Sequence, residues 1–171
     1  MSVARGVQGV VVDPGVVEYF DRGTGPVIVF AHGWMANANL WRKVVDALAA
    51  THRCITLDLP LGAHRRPVAA DAALDAGACG ELIAEALEVL DVDEVTLVGN
   101  DSGGAYSQIA TSRHPERVAR LVLNSCAAGR ELRTSRVVRV VCRGSNVPSV
   151  ARVSLRRGAT QRVGDTREGR V

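Results

Sequence analysis

The apolar run Val95-Thr96-Leu97-Val98 passes without a linker into Gly99-Asn100-Asp101-Ser102-Gly103-Gly104, and a helical stretch follows from Ala105 to Arg113. A strand that becomes a helix within so few residues constrains the chain severely. The positions two before and two after the apex have almost no room for a side chain, and here Gly99 and Gly103 bracket Asp101. A reactive side chain at such a bend is the layout of a nucleophile elbow. The apex holds a carboxylate rather than a hydroxyl. Two other readings stay open at this point. Asp and Ser are favoured helix N-caps and need no chemical role there, and Ser102 could itself be the apex, with Asn100 inside its bracket.

The remaining apolar periodicity supplies the frame around this bend. Val10-Val11-Val12 and Val16 to Phe20 read as short strands around the turn Asp13-Pro14-Gly15. Val27 to Phe30 and Cys54 to Leu57 are continuous apolar runs, as in strands buried on both faces of a parallel sheet. Leu40, Trp41, Val44, Val45 and Leu48 recur at helical spacing, as do Leu82, Ile83, Ala86, Leu87 and Leu90, with Glu81, Glu85 and Glu88 on the wet side. Leu121-Val122-Leu123 adds a further strand, and Arg65 to Gly77 reads as a surface loop. Strands alternating with helices imply right-handed βαβ units, hence an α/β domain with a mostly parallel sheet and helices on both faces.

Composition divides the chain in two. Residues 1–129 carry 10 basic and 15 acidic groups and all six aromatic residues, whereas residues 130–171 carry 11 arginines and 3 acids. The expected organisation is therefore a partial α/β core over 1–129 and an Arg-rich tail over 130–171, without trusted periodicity and expected to lack packed structure. Lys43 is the single lysine of the chain. Out-of-frame reading of a GC-rich gene would produce such a tail. It has no aromatic residue for base stacking, so nucleic acid is not an expected partner. No apolar run of about 18 residues is present, so no membrane partner is expected, and the N-terminus lacks a secretory pattern, which makes the cytoplasm the expected location. Cys54, Cys79, Cys126 and Cys142 show neither CxxC pairing nor histidine at ligand spacing, so no metal, cofactor or disulfide framework is expected.

Five short motifs in order resemble the α/β-hydrolase superfamily: Gly23-Thr24-Gly25-Pro26, His32-Gly33-Trp34, Asp58-Leu59-Pro60, Gly99 to Gly104, and His114-Pro115-Glu116-Arg117-Val118. Asp101 in the elbow resembles the epoxide-hydrolase and haloalkane-dehalogenase branch more than the esterases and lipases. That resemblance implies an Asp101 nucleophile that displaces a leaving group from a saturated carbon, and water that then attacks the resulting aspartyl ester. It also implies oxyanion donors at the backbone amides of Trp34 and Ser102, and a substrate pocket at His32, Gly33 and Trp34. Gly99, Gly103 and Gly104 form the elbow. Beside the resemblance, a histidine just after a buried strand more often bonds the loop, and Asp58 at a strand end is read as structural.

The departures narrow the expected chemistry. Dehalogenases of this branch resemble HDW at the elbow, and Ser102 replaces that indole. Met35 stands where a proline usually follows in the loop, and Ser125 where some dehalogenases place the acid. The family's histidine follows the last strand of the sheet, whereas His32, His52, His64 and His114 all come earlier. The cap, the last strands, the acid and that histidine have no counterpart. The expectation is therefore the N-terminal part of a hydrolase that acted on an epoxide or similar electrophilic carbon, truncated, and weakly active or inactive as it stands. The alternatives are a Ser-nucleophile esterase and a non-catalytic remnant that self-associates through an exposed sheet edge.

Overall fold

The computed structural model describes residues 7–12, 15–126, 137–144 and 147–154, the last two stretches by their backbone. Six strands form one sheet in the order β1-β2-β4-β3-β5-β6. These are β1 (Gln8–Val12), β2 (Gly15–Arg22), β3 (Val27–Ala31), β4 (Arg53–Asp58), β5 (Val95–Asn100) and β6 (Val118–Asn124). β1, β2 and β4 pair antiparallel, whereas β4, β3, β5 and β6 run parallel. The crossovers carry α1 (Arg42–Leu48), α2 (Ala76–Val89) and α3 (Ser102–Arg113), and a 3-10 turn over Ala38–Trp41 leads into α1. The mostly parallel sheet with helices on both faces follows the sequence periodicity.

The two faces are covered unequally. α2 and α3 lie over one face, where Ile83, Leu87, Leu97, Leu121 and Leu123 are fully buried. On the other, α1 and the 3-10 turn cover β3 and β4, with the Phe30 and Trp41 rings 5.0 Å apart between centroids. β3 and β4 are therefore buried on both faces, as their continuous apolar runs require. β5 instead alternates, with Val95, Leu97 and Gly99 buried and Thr96, Val98 and Asn100 only half-buried. On that side Val98 packs against the cluster that holds Phe30 and Trp41. At the β2–β4 seam, Arg53 grips both oxygens of the buried Asp21 carboxylate, with bonds of 2.8–3.1 Å.

From β3 the chain steps outward to β4, then returns through α2 to place β5 on the other side of β3. The carboxyl ends of β3 and β5 therefore flank a topological switch point, where open α/β sheets present their crevices. The His32-Gly33-Trp34 and Gly99 to Gly104 motifs both sit at that place.

In the Arg-rich segment, β7 (Val137–Gly144) and β8 (Val147–Ser154) pair antiparallel as a separate hairpin, and β7 is in contact with β6. The β-branched pairs Val137-Val138 and Val140-Val141 suit a strand although arginines interrupt them. The compositional seam near Ala128-Gly129 and the tail stretches 130–136, 145–146 and 155–171 lie outside the described residues.

Leu97 sits at the centre of the sheet with no exposed surface. Leu97→Ala is expected to lower the unfolding free energy by about 2–5 kcal/mol in urea titration. A loss below about 1 kcal/mol would contradict this packing.

Candidate active site

The elbow is tight because α3 starts one residue after β5 ends. Asp101 alone makes the turn, at φ 52° and ψ −127°. The backbone strain thus falls on a non-glycine residue, at a cost of order 1–3 kcal/mol. The flanking glycines serve close approach rather than unusual φ. A Cβ on Gly99 would lie 2.5 Å from Gly104 Cα and 2.8 Å from Gly103 O, and one on Gly103 would collide with the backbone carbonyls of Ala31 and His32. The turn is tied to the neighbouring strand, since Asp101 N–H and the Asn100 side-chain amide both donate to Asn124 O, at 3.4 and 3.1 Å. The role of Asn124 was not legible in sequence, because it arises from the Asn100–Asn124 register of β5 and β6.

The Asp101 side chain is exposed and makes no capping bond to its own helix, which removes the N-cap reading. It lies over Gly33, where a Cβ would sit 2.5 Å from Asp101 Oδ2. The Trp34 backbone N–H donates to Oδ2 at 3.2 Å. The carboxylate is therefore exposed with one oxygen held and no bond to the other among the described residues. Ser102 differs. Its Oγ is buried without a hydrogen-bond partner, while its backbone N–H opens α3, where first-turn amides have no intrahelical acceptor. Gly104 lies against Cys126.

His32 corrects one expectation: its ring is not part of the pocket. It is 0% exposed, and both nitrogens are engaged. The Leu59 N–H donates to Nε2 at 2.9 Å, so the ring proton is on Nδ1 and is donated to Gly33 O at 2.9 Å. Burial pushes the His32 pKa down, against the opposing pull of the Gly33 bond and the nearby Asp58. Asp58 is structural, as its strand-end position suggested: Oδ1 accepts from Ala38 N–H at 3.0 Å and Oδ2 from Arg65 N–H at 3.2 Å. His52 pairs with Thr51 Oγ1, His64 accepts from Gly62 N–H, and His114 meets Glu81. Among the described residues no histidine is hydrogen-bonded to Asp101, and no cluster of three His, Cys, Asp or Glu is placed to hold a metal.

Trp34 and Met35 stand exposed in the loop after β3, at 62% and 70%. Met35 occupies the left-handed region at φ 57° and donates its N–H to Leu61 O at 2.9 Å. Proline, which has no N–H and a fixed negative φ, cannot adopt this conformation.

Comparison with known proteins follows this geometry. The alpha/beta hydrolase fold family matches residues 26–137, and the chain belongs to it. Over 112 residues the chain is 38% identical to the 2-hydroxymuconate semialdehyde hydrolase of Pseudomonas sp. (strain CF600), covering 63% of this chain and 38% of that protein. It is 32% identical over 112 residues to haloalkane dehalogenase 2 of Mycobacterium tuberculosis (strain ATCC 25618 / H37Rv), covering 65% of this chain and 38% of that one. The solved structure of the epoxide hydrolase CorEH without ligand superposes with a TM-score of 0.66 at 26% identity, covering 72% of this chain and 43% of that chain. The chain thus spans 38% of the length of these curated relatives. Among the described residues no helix is long and apolar enough to cross a membrane.

Two outcomes test this site. Met35→Gly is expected to raise stability by about 0.5–1 kcal/mol, because glycine accepts positive φ without steric cost, while Met35→Pro is expected to be strongly destabilising; thermal unfolding of both variants checks this. The second concerns pH. Below the ordinary histidine value of 6.5 the unfolded His32 binds a proton that the buried ring resists. Stability should therefore fall as pH is lowered from 6.5 toward 5. The Glu81 carboxyl, held low by Arg113 and His114, adds its own loss only below its ordinary 4.5. Urea titrations across this range should show a shallower slope for His32→Leu.

Proposed function

We propose that Asp101 is the nucleophile of a hydrolase that opens an epoxide, or a similarly electrophilic saturated carbon, through an aspartyl ester. One observation carries this reading: the exposed Asp101 carboxylate, at positive φ and free of its own helix, receives the Trp34 amide at 3.2 Å. With Oδ2 held, Oδ1 is the oxygen that attacks. A new C–O bond forms between Oδ1 and the substrate carbon as the ring C–O bond breaks, and the released alkoxide takes a proton from solvent. Water then adds to Cγ of the ester. Charge develops on Oδ2, where the Trp34 N–H already points and the Ser102 N–H supplies the second donor. As the intermediate collapses, the Cγ–Oδ1 bond breaks and the departing oxygen takes a proton from the added water, which releases the diol and leaves a carboxylate carrying one oxygen from that water.

The loop beside Asp101 suits an apolar substituent on the electrophile, since Trp34 and Met35 present an indole and a thioether to solvent. Dehalogenation fits less well, because Ser102 offers no indole N–H to a leaving halide. A Ser102 nucleophile is disfavoured by its buried Oγ. None of the four histidines is bonded to Asp101, so ester hydrolysis lacks a positioned base among the described residues. Ester formation should outrun it.

Incubation with styrene oxide followed by peptide mass mapping is the test. One adduct on Asp101, slow diol release and no adduct in Asp101→Asn are expected. An adduct on Ser102 would refute the nucleophile assignment, and sustained diol release would refute the missing base.

A further inference from the structure

We propose that His32 is a positioning residue that aims the Trp34 amide at the Asp101 carboxylate by gripping the opposite end of the same peptide unit. This rests on the reading of Trp34 N–H as the donor to the reacting carboxylate. The Gly33 carbonyl and the Trp34 N–H belong to one planar peptide, and in the trans form they point in opposite directions. His32 Nδ1–H holds that carbonyl at 2.9 Å, and the N–H at the far side meets Asp101 Oδ2 at 3.2 Å. Rotation of the peptide plane would break both bonds together.

The ring is itself fixed. Its Nε2 accepts from Leu59 N–H at 2.9 Å, which anchors it to the residue just after β4. A rigid arm thus runs from the end of β4 through the imidazole to the Gly33–Trp34 peptide and on to the elbow. Gly33 O also accepts from Ala36 N–H, but over 3.3 Å and from within the same loop, so that bond cannot fix the loop against the sheet. The donation to Gly33 O also polarises the peptide and strengthens its N–H as a donor. Only the neutral ring with its proton on Nδ1 can do this. Gly33 completes the device, since any Cβ there would displace the carboxylate.

A core histidine without this role predicts a different pattern of damage. His32→Leu would then loosen the whole sheet, whereas a positioning role frees the Trp34 amide selectively. Solvent exchange of amide protons by NMR distinguishes the two, with Leu97 N–H as the core reference and Ala38 N–H, held by Asp58, as the loop reference. In His32→Leu the Trp34 amide is expected to exchange about tenfold faster while both references hold, and styrene oxide capture at Asp101 to slow about tenfold. His32→Gln, which keeps one donor and one acceptor, should recover part of each. In the unaltered chain, ring 15N shifts should place the proton on Nδ1, with a coupling between Leu59 N–H and Nε2; this measurement stands even if neither variant folds. A proton on Nε2, or unchanged Trp34 exchange and capture in the variants, overturns the proposal. Absence of any Asp101 adduct in the unaltered chain, with the Trp34 amide still freed by His32→Leu, overturns the nucleophile reading and leaves the positioning role established.

Discussion

The close approach of the start of α3 to the end of β3 is the constraint on which the site depends. Gly103 rests against the carbonyls of Ala31 and His32, and Asp101 lies over Gly33. Without those contacts the elbow would stand away from the loop after β3, and the Trp34 amide would have no carboxylate to meet. The approach is possible because β3 and β5 are direct parallel neighbours, although two helices and β4 separate them in sequence.

Among the described residues, three of the five non-glycine residues at positive φ follow the carboxyl ends of the parallel strands. Met35, Asp101 and Ser125 follow β3, β5 and β6 respectively, and each is a non-glycine residue at φ between 51° and 57°. Strained residues of this kind persist only where their surroundings over-determine them. Here the surroundings are identifiable: Leu61 O for Met35 and Asn124 O for Asp101. Below the elbow the sheet is packed by buried Leu97, Leu121 and Leu123.

The succession of strands and helices along the chain and the location of the bend were legible because both rest on local rules. Continuous apolar runs mark strands covered on two faces, and paired small residues mark a strand that turns at once into a helix. The half-exposed side of β5 was not legible: Val95 to Val98 read simply as an apolar run, and only the packing around the sheet shows that Thr96 and Val98 are half-buried. The pairing of β7 with β8 was not legible either, since neither Val137–Gly144 nor Val147–Ser154 alternates apolar and polar residues, and the register between them is a property of the folded backbone. His32 was assigned at once to the pocket and to the loop, because its motif says where it lies along the chain and nothing about which way the ring turns.

The sequence by itself determined that Asp101 would stand at the apex of a strand-to-helix bend, and that the chain would build a mostly parallel α/β sheet. Spacing of small and apolar residues is enough for both, as steric exclusion and burial act over a few positions. Only the tertiary structure decided that the carboxylate stays clear of its own helix, that a single peptide links it to His32, and that Asn124 steadies the turn. Each of these depends on where the loop after β3, the elbow and β6 lie relative to one another, which strand register and packing set rather than residue type.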